Sequence, residues 1–213
     1  MDFILPIAIL IMSVVIHEVS HGYAAFLLGD PTAKYAGRLT LNPIKHLDPW
    51  GSVFIPLFLA ISQAGILFGW AKPVPYNPYN LKNQKYGPAI VGAAGPLSNL
   101  ALALFAGVTM RAFFVAGIFE GFVLQVLATI IFINILLMVF NFLPIPPLDG
   151  SKLLYAILPV SEHTKMTLDR YGFVILIAFI FLFGSIIQNI VIFVLQWFAK
   201  IIVGVSLVDF LQF

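Results

Sequence analysis

Apolar runs separated by short polar stretches organise this chain. The first run, Phe3 to Leu28, is interrupted only by His17-Glu18 and His21, and Gly29-Asp30-Pro31 stops it, as helix breakers do. A polar stretch follows, Thr32 to Pro49. Within it Tyr35 to Leu41 partly alternates apolar and polar residues, the pattern of a short strand. The second run, Trp50 to Trp70, contains Pro56, Ser62, Gln63 and three glycines, so it reads as a poor spanning helix. After the Pro/Asn/Lys-rich loop Ala71 to Gly87 come a third run, Ala89 to about Val108, and a fourth, about Phe122 to Leu143. A second polar stretch covers Pro144 to Tyr171. The last run, Gly172 to Phe213, is long enough for two crossings. Gly184-Ser185 and Gln188-Asn189 inside it point to a hairpin, or to one span plus an interfacial helix. There is no repeat of fixed period.

Runs of this length match the roughly 20 residues a helix needs to cross a bilayer. Composition agrees: 61% of the 213 residues are hydrophobic and 9% are charged, against roughly 25% charged in a soluble domain. The expectation is a polytopic α-helical membrane protein with about four to six transmembrane helices, a re-entrant segment, and room for a small membrane-associated β-hairpin. Residues 1–213 fit one membrane-embedded domain, with a core at about 3–155 and C-terminal helices at about 172–213. The net charge of +2 comes without a basic block, so nucleic acid is not an expected partner. The absence of cysteine excludes disulfides, thiolate ligands and a cysteine nucleophile. Met1 to Leu5 lacks the positive region and small-residue cleavage site of a signal peptide and reads as the start of an uncleaved span.

Candidate chemistry begins with His17-Glu18-Val19-Ser20-His21, an H-E-x-x-H pattern. On a helix, residues i and i+4 lie about 40° apart on one face, one turn apart. Two imidazoles in that register can hold one zinc ion, and the glutamate beside the first is placed to take and return a proton from an activated water. Ionisable groups inside membrane helices are costly and mark function by default; the plainer alternative is a buried polar cluster gluing helices together. Catalytic zinc takes three protein ligands and keeps one open position. The third ligand must come from Asp2, Asp30, Asp48, Glu120, Asp149, Glu162, Asp169, Asp209, His46 or His163. Asp149 stands out because Asn141-Phe142-Leu143-Pro144-Ile145-Pro146-Pro147-Leu148-Asp149-Gly150 breaks an apolar helix, and freed backbone groups there must be buried in protein. From the residues alone an Asp-Gly turn at the membrane surface competes with that reading. Asn99 and Asn141 suit either helix cross-linking or donation to an oxyanion or substrate backbone. His46 and His163 read as solvated loop histidines.

Three motifs in order, His17-Glu18-Val19-Ser20-His21, Gly95-Pro96-Leu97-Ser98-Asn99 and Asn141-x-x-Pro144-x-Pro146-x-Leu148-Asp149-Gly150, resemble the site-2 protease family of intramembrane zinc metalloproteases. They cover about residues 10 to 155. The resemblance implies a Zn2+-dependent endopeptidase in which His17, His21 and Asp149 bind the single ion and Glu18 is the catalytic base. It also implies that Gly95, Asn99 and Asn141 lie near the site, with Pro144, Pro146 and Gly150 as structural motif residues. Its substrates would be transmembrane proteins or peptides, cleaved within or near their spans in the lipid bilayer. No PDZ-like insert is visible, so substrate selection must work without one.

Topology follows from bringing Asp149 to the histidines. If every run crossed, Asp149 would lie across the bilayer from His21. If Trp50 to Trp70 dips in and returns, both meet on one side. That arrangement gathers Lys34, Arg38, Lys45, Lys72, Lys82, Lys85, Lys152, Lys165 and Arg170 on the site's side and leaves Arg111 opposite. The positive-inside rule then makes that side cytoplasmic. The expectation is a cell-membrane protein with its site towards the cytoplasm and its N-terminus outside. Tyr35 to Leu41 would offer a free edge to an unwound substrate. A metal-ion transporter and a scaffold that keeps zinc for stability are rival functions. The first would spread its acids and histidines along a path instead of gathering them in two motifs.

Overall fold

A computed structural model describes residues 4–55, 58, 61–62, 70–119 and 121–206. Among the described residues six α-helices carry the fold: α1 (Ile4–Leu27), α2 (Thr32–Tyr35), α3 (Gly87–Val115), α4 (Phe122–Asn141), α5 (Asp149–Ile157) and α6 (Glu162–Phe198). The spans of α1, α3, α4 and α6 are long and apolar enough to cross a membrane. Among the described residues there is no β-strand.

Local chemistry sets the helix ends. The α1 run stops where Gly29 takes φ +106° and the Asp30 N–H donates to the Ala25 carbonyl at 2.9 Å, a left-handed cap that a side chain at position 29 would strain. Helix α3 begins at Gly87-Pro88, where a missing N–H costs nothing. It carries Pro96 in its interior, and the Ser98 hydroxyl donates to the nearby Gly95 carbonyl at 2.7 Å. Ser161 caps α6 by accepting from the Thr164 N–H at 3.1 Å.

Helix α6 corrects one expectation. Its 37 residues, at about 1.5 Å each, run to roughly 55 Å, well beyond a hydrocarbon core of about 30 Å. The polar turns from Glu162 to Arg170 therefore extend the same helix that holds the last apolar run, and no hairpin forms around Gly184. The interruption there is a kink, with non-helical angles at Phe183 (φ −125°, ψ 15°).

Tyr35 to Leu41 corrects another. Tyr35 ends α2, and the Arg38 N–H already donates to the Ala33 carbonyl at 3.0 Å. The alternation of this stretch is accidental: a helical turn with bends after it satisfies the backbone, and no ladder forms. Of the Trp50 to Trp70 segment only the ends and a few interior positions are described, so the expected re-entrant dip falls outside the described residues. Its ends meet: the Trp70 N–H donates to the Gly51 carbonyl at 3.1 Å, and Gly51 leaves no room for a side chain against the Trp70 ring. The Lys82 N–H likewise donates to the Leu28 carbonyl at 2.9 Å, so the chain leaving α1 and the chain entering α3 are neighbours.

Packing divides along the bundle. Ala103, Ala106 and Met110 of α3, Leu124, Ile131 and Ile135 of α4, and Val191, Leu195 and Phe198 of α6 form a contiguous apolar core. Gly107 lets the Phe198 ring approach, since a Cβ there would come within 2.8 Å of it. At the other end α3 packs on α1 and α5 through polar side chains and glycines.

Candidate metal centre and active site

His17 and His21 lie on one face of α1, as their spacing predicts, and are buried. Asp149, the first residue of α5, reaches both, 132 positions along the chain from His17. The chain stops being helical after Asn141, turns through Pro144 to Pro147, and restarts at Asp149. Gly150 is pressed against the Phe142 and Leu143 carbonyls, so only glycine fits where α5 starts.

Three atoms converge. His17 Nε2 is 3.1 Å from Asp149 Oδ2, His21 Nε2 is 3.1 Å from the same oxygen, and the two Nε2 atoms are 3.0 Å apart. The far side of each ring fixes its tautomer. His17 Nδ1 donates to Asn99 Oδ1 at 2.6 Å and His21 Nδ1 donates to the Val91 carbonyl at 2.6 Å. Both Nε2 atoms therefore present lone pairs to each other and to a carboxylate oxygen, with no proton to share. Three acceptors so placed need a cation between them. Around an ion with bonds of about 2.0–2.1 Å, tetrahedral ligand atoms stand roughly 3.3 Å apart, close to the triangle observed. The donor set and its spacing fit zinc.

The surroundings hold this triangle rigidly. Asn99 is fully buried and donates from Nδ2 to Asn134 Oδ1 at 2.8 Å. Asn134 in turn donates to Ser13 Oγ at 3.0 Å, and to the Ile130 carbonyl at 2.9 Å. A Cβ on Gly95 would stand 2.5 Å from His21 and 2.6 Å from His17, so glycine lets α3 pass directly over both rings. Lys152, one turn after Asp149, donates to Asp149 Oδ1 at 2.9 Å and leaves Oδ2 to face the histidines.

Glu18 lines the same cavity of about 170 Å³, together with Val74, Tyr76, Asn141 and the three converging residues. Its carboxylate accepts the Val74 N–H at 2.8 Å, which ties it to the loop before α3. Asn141 is half-buried, and its Nδ2 donates to the Leu137 carbonyl at 2.9 Å.

Several expectations change here. Asn99 does not line the cavity: it is fully buried, its Oδ1 accepts from His17 and its Nδ2 donates to Asn134. His46 is not solvated. It is 1% exposed, with Nε2 on the Thr40 carbonyl at 2.9 Å, because the loop folds back over it. His163 is exposed on α6, as read from sequence. Asp30 is buried as a loop anchor. Desolvation opposes its charge, but donation from Thr32, Asn80 and the Asn77 N–H outweighs that and holds its carboxyl below the usual range. Asp2, Glu120 and Asp209 lie outside the described residues. Sequence reading missed Ser13, Asn134 and Lys152. The first two were detectable as polar residues inside apolar runs, and Lys152 as a cation one turn from Asp149. The Val74 N–H carries no sequence signal at all.

Comparison with known proteins agrees with this geometry. Residues 111–185 match Peptidase family M50. The chain is 40% identical to YwhC of Bacillus subtilis (strain 168) over 188 residues, 83% of this chain and 80% of that one. It is 38% identical to Rip2 of Mycolicibacterium smegmatis over 185 residues, 82% of this chain and 66% of Rip2. Both relatives carry "zinc metalloprotease" in their names. No solved structure matches.

Proposed function

Because the chain belongs to peptidase family M50, the site-2 protease family of zinc-dependent proteases, we propose that it hydrolyses peptide bonds within or near the transmembrane segments of other membrane proteins. The observation that carries this reading is the buried triangle of His17 Nε2, His21 Nε2 and Asp149 Oδ2, with Glu18 in the wall of the same cavity.

In this reading His17, His21 and Asp149 hold the ion. When bound, zinc supplies Lewis acidity towards a peptide carbonyl and towards water at neutral pH. Asn99 and the Val91 carbonyl fix the two imidazole tautomers so that neither ring swings away. Outer partners of this kind are worth about 10–100-fold in metal affinity or activity. Glu18, tethered at one side by the Val74 N–H, takes a proton from water as the peptide carbonyl is attacked and returns it to the leaving amine. Asn141 lines the cavity and is the remaining side chain placed to donate to substrate or oxyanion. A substrate helix hides its carbonyls in its own hydrogen bonds, so it must unwind locally before it can enter a cavity of this size.

The site sits towards the cytoplasmic face of the cell membrane, and residues 1–213 act as one domain. The pairing of Leu28 with Lys82, and of Gly51 with Trp70, supports an even number of crossings between α1 and α3, hence a re-entrant segment at 50–70. Arg111 donates to the Ile201 carbonyl at 3.0 Å, which supports a common side for the end of α3 and the end of α6.

Glu18→Gln tests the chemistry. Zinc content should stay at one ion per chain while cleavage of membrane proteins, read by comparing membrane proteomes with wild type, disappears. Normal turnover in the purified variant would sink the reading. Cysteines placed at 34 and 82 should label from the cytoplasm and one at 117 from outside; labelling of 34 and 82 from opposite sides would refute the re-entrant segment.

A further inference from the structure

Beside the catalytic cavity lies a larger one, of about 510 Å³, and Tyr76, Pro147 and Lys152 line both. Pockets that enclose a ligand run from about 300 Å³ upwards. The 170 Å³ catalytic cavity therefore has room for a reacting bond but not for the residues flanking it. The second cavity is built from the loop before α3, the outer face of α5 and the first turns of α6. Those turns of α6 carry Glu162, Lys165 and Asp169 and precede its apolar length, which places the cavity at the aqueous end of the bundle.

Its walls alternate flat rings with prolines: Tyr76, Tyr79 and Tyr155 with Pro78, Pro88 and Pro147. Grooves lined by aromatic rings take up extended polypeptide segments, and the prolines between these rings hold the wall in a fixed extended path. Most charges at this cavity have a partner, in the wall or in the adjoining cavity, and Lys85 lies over the Tyr86 ring. Lys165 pairs with Glu162 at 2.7 Å, Lys152 with Asp149 at 2.9 Å, and the Tyr155 hydroxyl donates to Asp169 at 3.2 Å. A phosphate or nucleotide would need several uncommitted cations; a peptide does not. We propose that this second cavity is a docking groove for the extended, aqueous-side flank of a membrane-protein substrate. It leads past the Tyr76–Lys152 boundary to the metal triangle, so that flank and scissile bond are held in one continuous path. The proposal rests on the intramembrane cleavage proposed above.

Tyr79 is 73% and Met166 63% exposed at this groove, so replacing either leaves the helix packing intact. The test uses the full-length zinc-loaded protein in lipid vesicles and two synthetic single-span peptides, each a leucine-rich helix interrupted by Asn-Gly-Pro. One carries an aqueous-side flank of about ten residues, roughly 33 Å when extended, and the other lacks it. Tyr79→Ala removes a wall and Met166→Trp fills the space. Each should raise KM for the flanked peptide about two- to tenfold, the scale of one aromatic contact, with kcat kept and zinc content unchanged. Cleavage of the unflanked peptide should be the same in wild type and both variants. An unchanged KM for the flanked peptide in both variants overturns the groove, and so does an equal loss for both peptides. Wild type that cleaves neither peptide overturns the intramembrane cleavage reading itself, and the groove with it.

Discussion

The two ends of the helix bundle are held together by different forces. At the metal end α1, α3, α4 and α5 meet through Ser13, His17, Asn99, Asn134 and Asp149, all buried and hydrogen-bonded in series. At the opposite end α3, α4 and α6 meet through Met110, Leu124, Ile131, Leu195 and Phe198, with Arg111 donating to the Ile201 carbonyl at the edge of this apolar contact. Lipid is as apolar as leucine, so the second end relies mainly on close packing, while the first relies on a chain of buried hydrogen bonds that have no competing water. The division has a functional logic. The hydrogen bonds that join the helices at the metal end are the same ones that aim the imidazoles, so stability and ligand geometry cannot be separated there. The apolar end is free to be a platform.

Breaking the metal end should show the largest effect. Asp149→Ala removes one of the three converging atoms and leaves two lone pairs facing each other. Zinc measured in purified protein should fall well below one ion per chain, and cleavage should vanish. His163→Ala, outside the cluster, is the matched control with unchanged zinc.

Asn99 sharpens the comparison, since it joins helices and orients His17 at once. Asn99→Leu should weaken zinc about 10–100-fold in chelator competition, with the helices still assembled. Asn99→Asp keeps the acceptor for His17 but loses the donor to Asn134, so it should recover part of that affinity. Equal losses in both variants would mean that the link to Asn134, not the grip on His17, is what matters.

Leu124→Ala at the apolar end should act in the opposite way. Leu124 is 1% exposed, and truncation there should cost about 2 kcal/mol of stability through lost packing and a cavity. Unfolding in detergent reads that loss, while zinc stoichiometry stays at one. A zinc loss matching that of Asn99→Leu would show that the two ends are coupled and erase the distinction. The smallest effect concerns Asp30. Its carboxyl is held below the usual range, so its contribution is present above the unfolded value, near 4, and fades as pH falls through the lower folded value. Asp30→Asn should flatten that acid dependence of stability without touching zinc.

Local spacing made some features legible and non-local packing hid others. The pair His17 and His21 was readable because i and i+4 on any helix share a face, whatever the helix packs against. The run lengths of α1 and α4 were readable because lipid requires continuous apolar helix, whereas α3 continues past the expected end near Val108 to Val115. The Tyr35 to Leu41 alternation misled because a period of two over so few residues is weak, and the backbone found its partners in a helical turn. His46 misled because its polar neighbours in sequence say nothing of the loop that closes over it. Asn99 remained ambiguous between substrate and structure until its partners were visible.

What the sequence by itself determined is a helical membrane chain carrying two imidazoles on one helix face, with a glutamate beside the first, for these depend on composition, run length and the 3.6-residue turn. Only the tertiary structure decided that Asp149 meets the two imidazoles, that the buried Asn99 amide bonds to His17 and Asn134, and that a second cavity adjoins the first. Each of those depends on where α3 and α5 pass α1, and that is set by Gly95 and Gly150, whose missing side chains permit an approach that no local pattern announces.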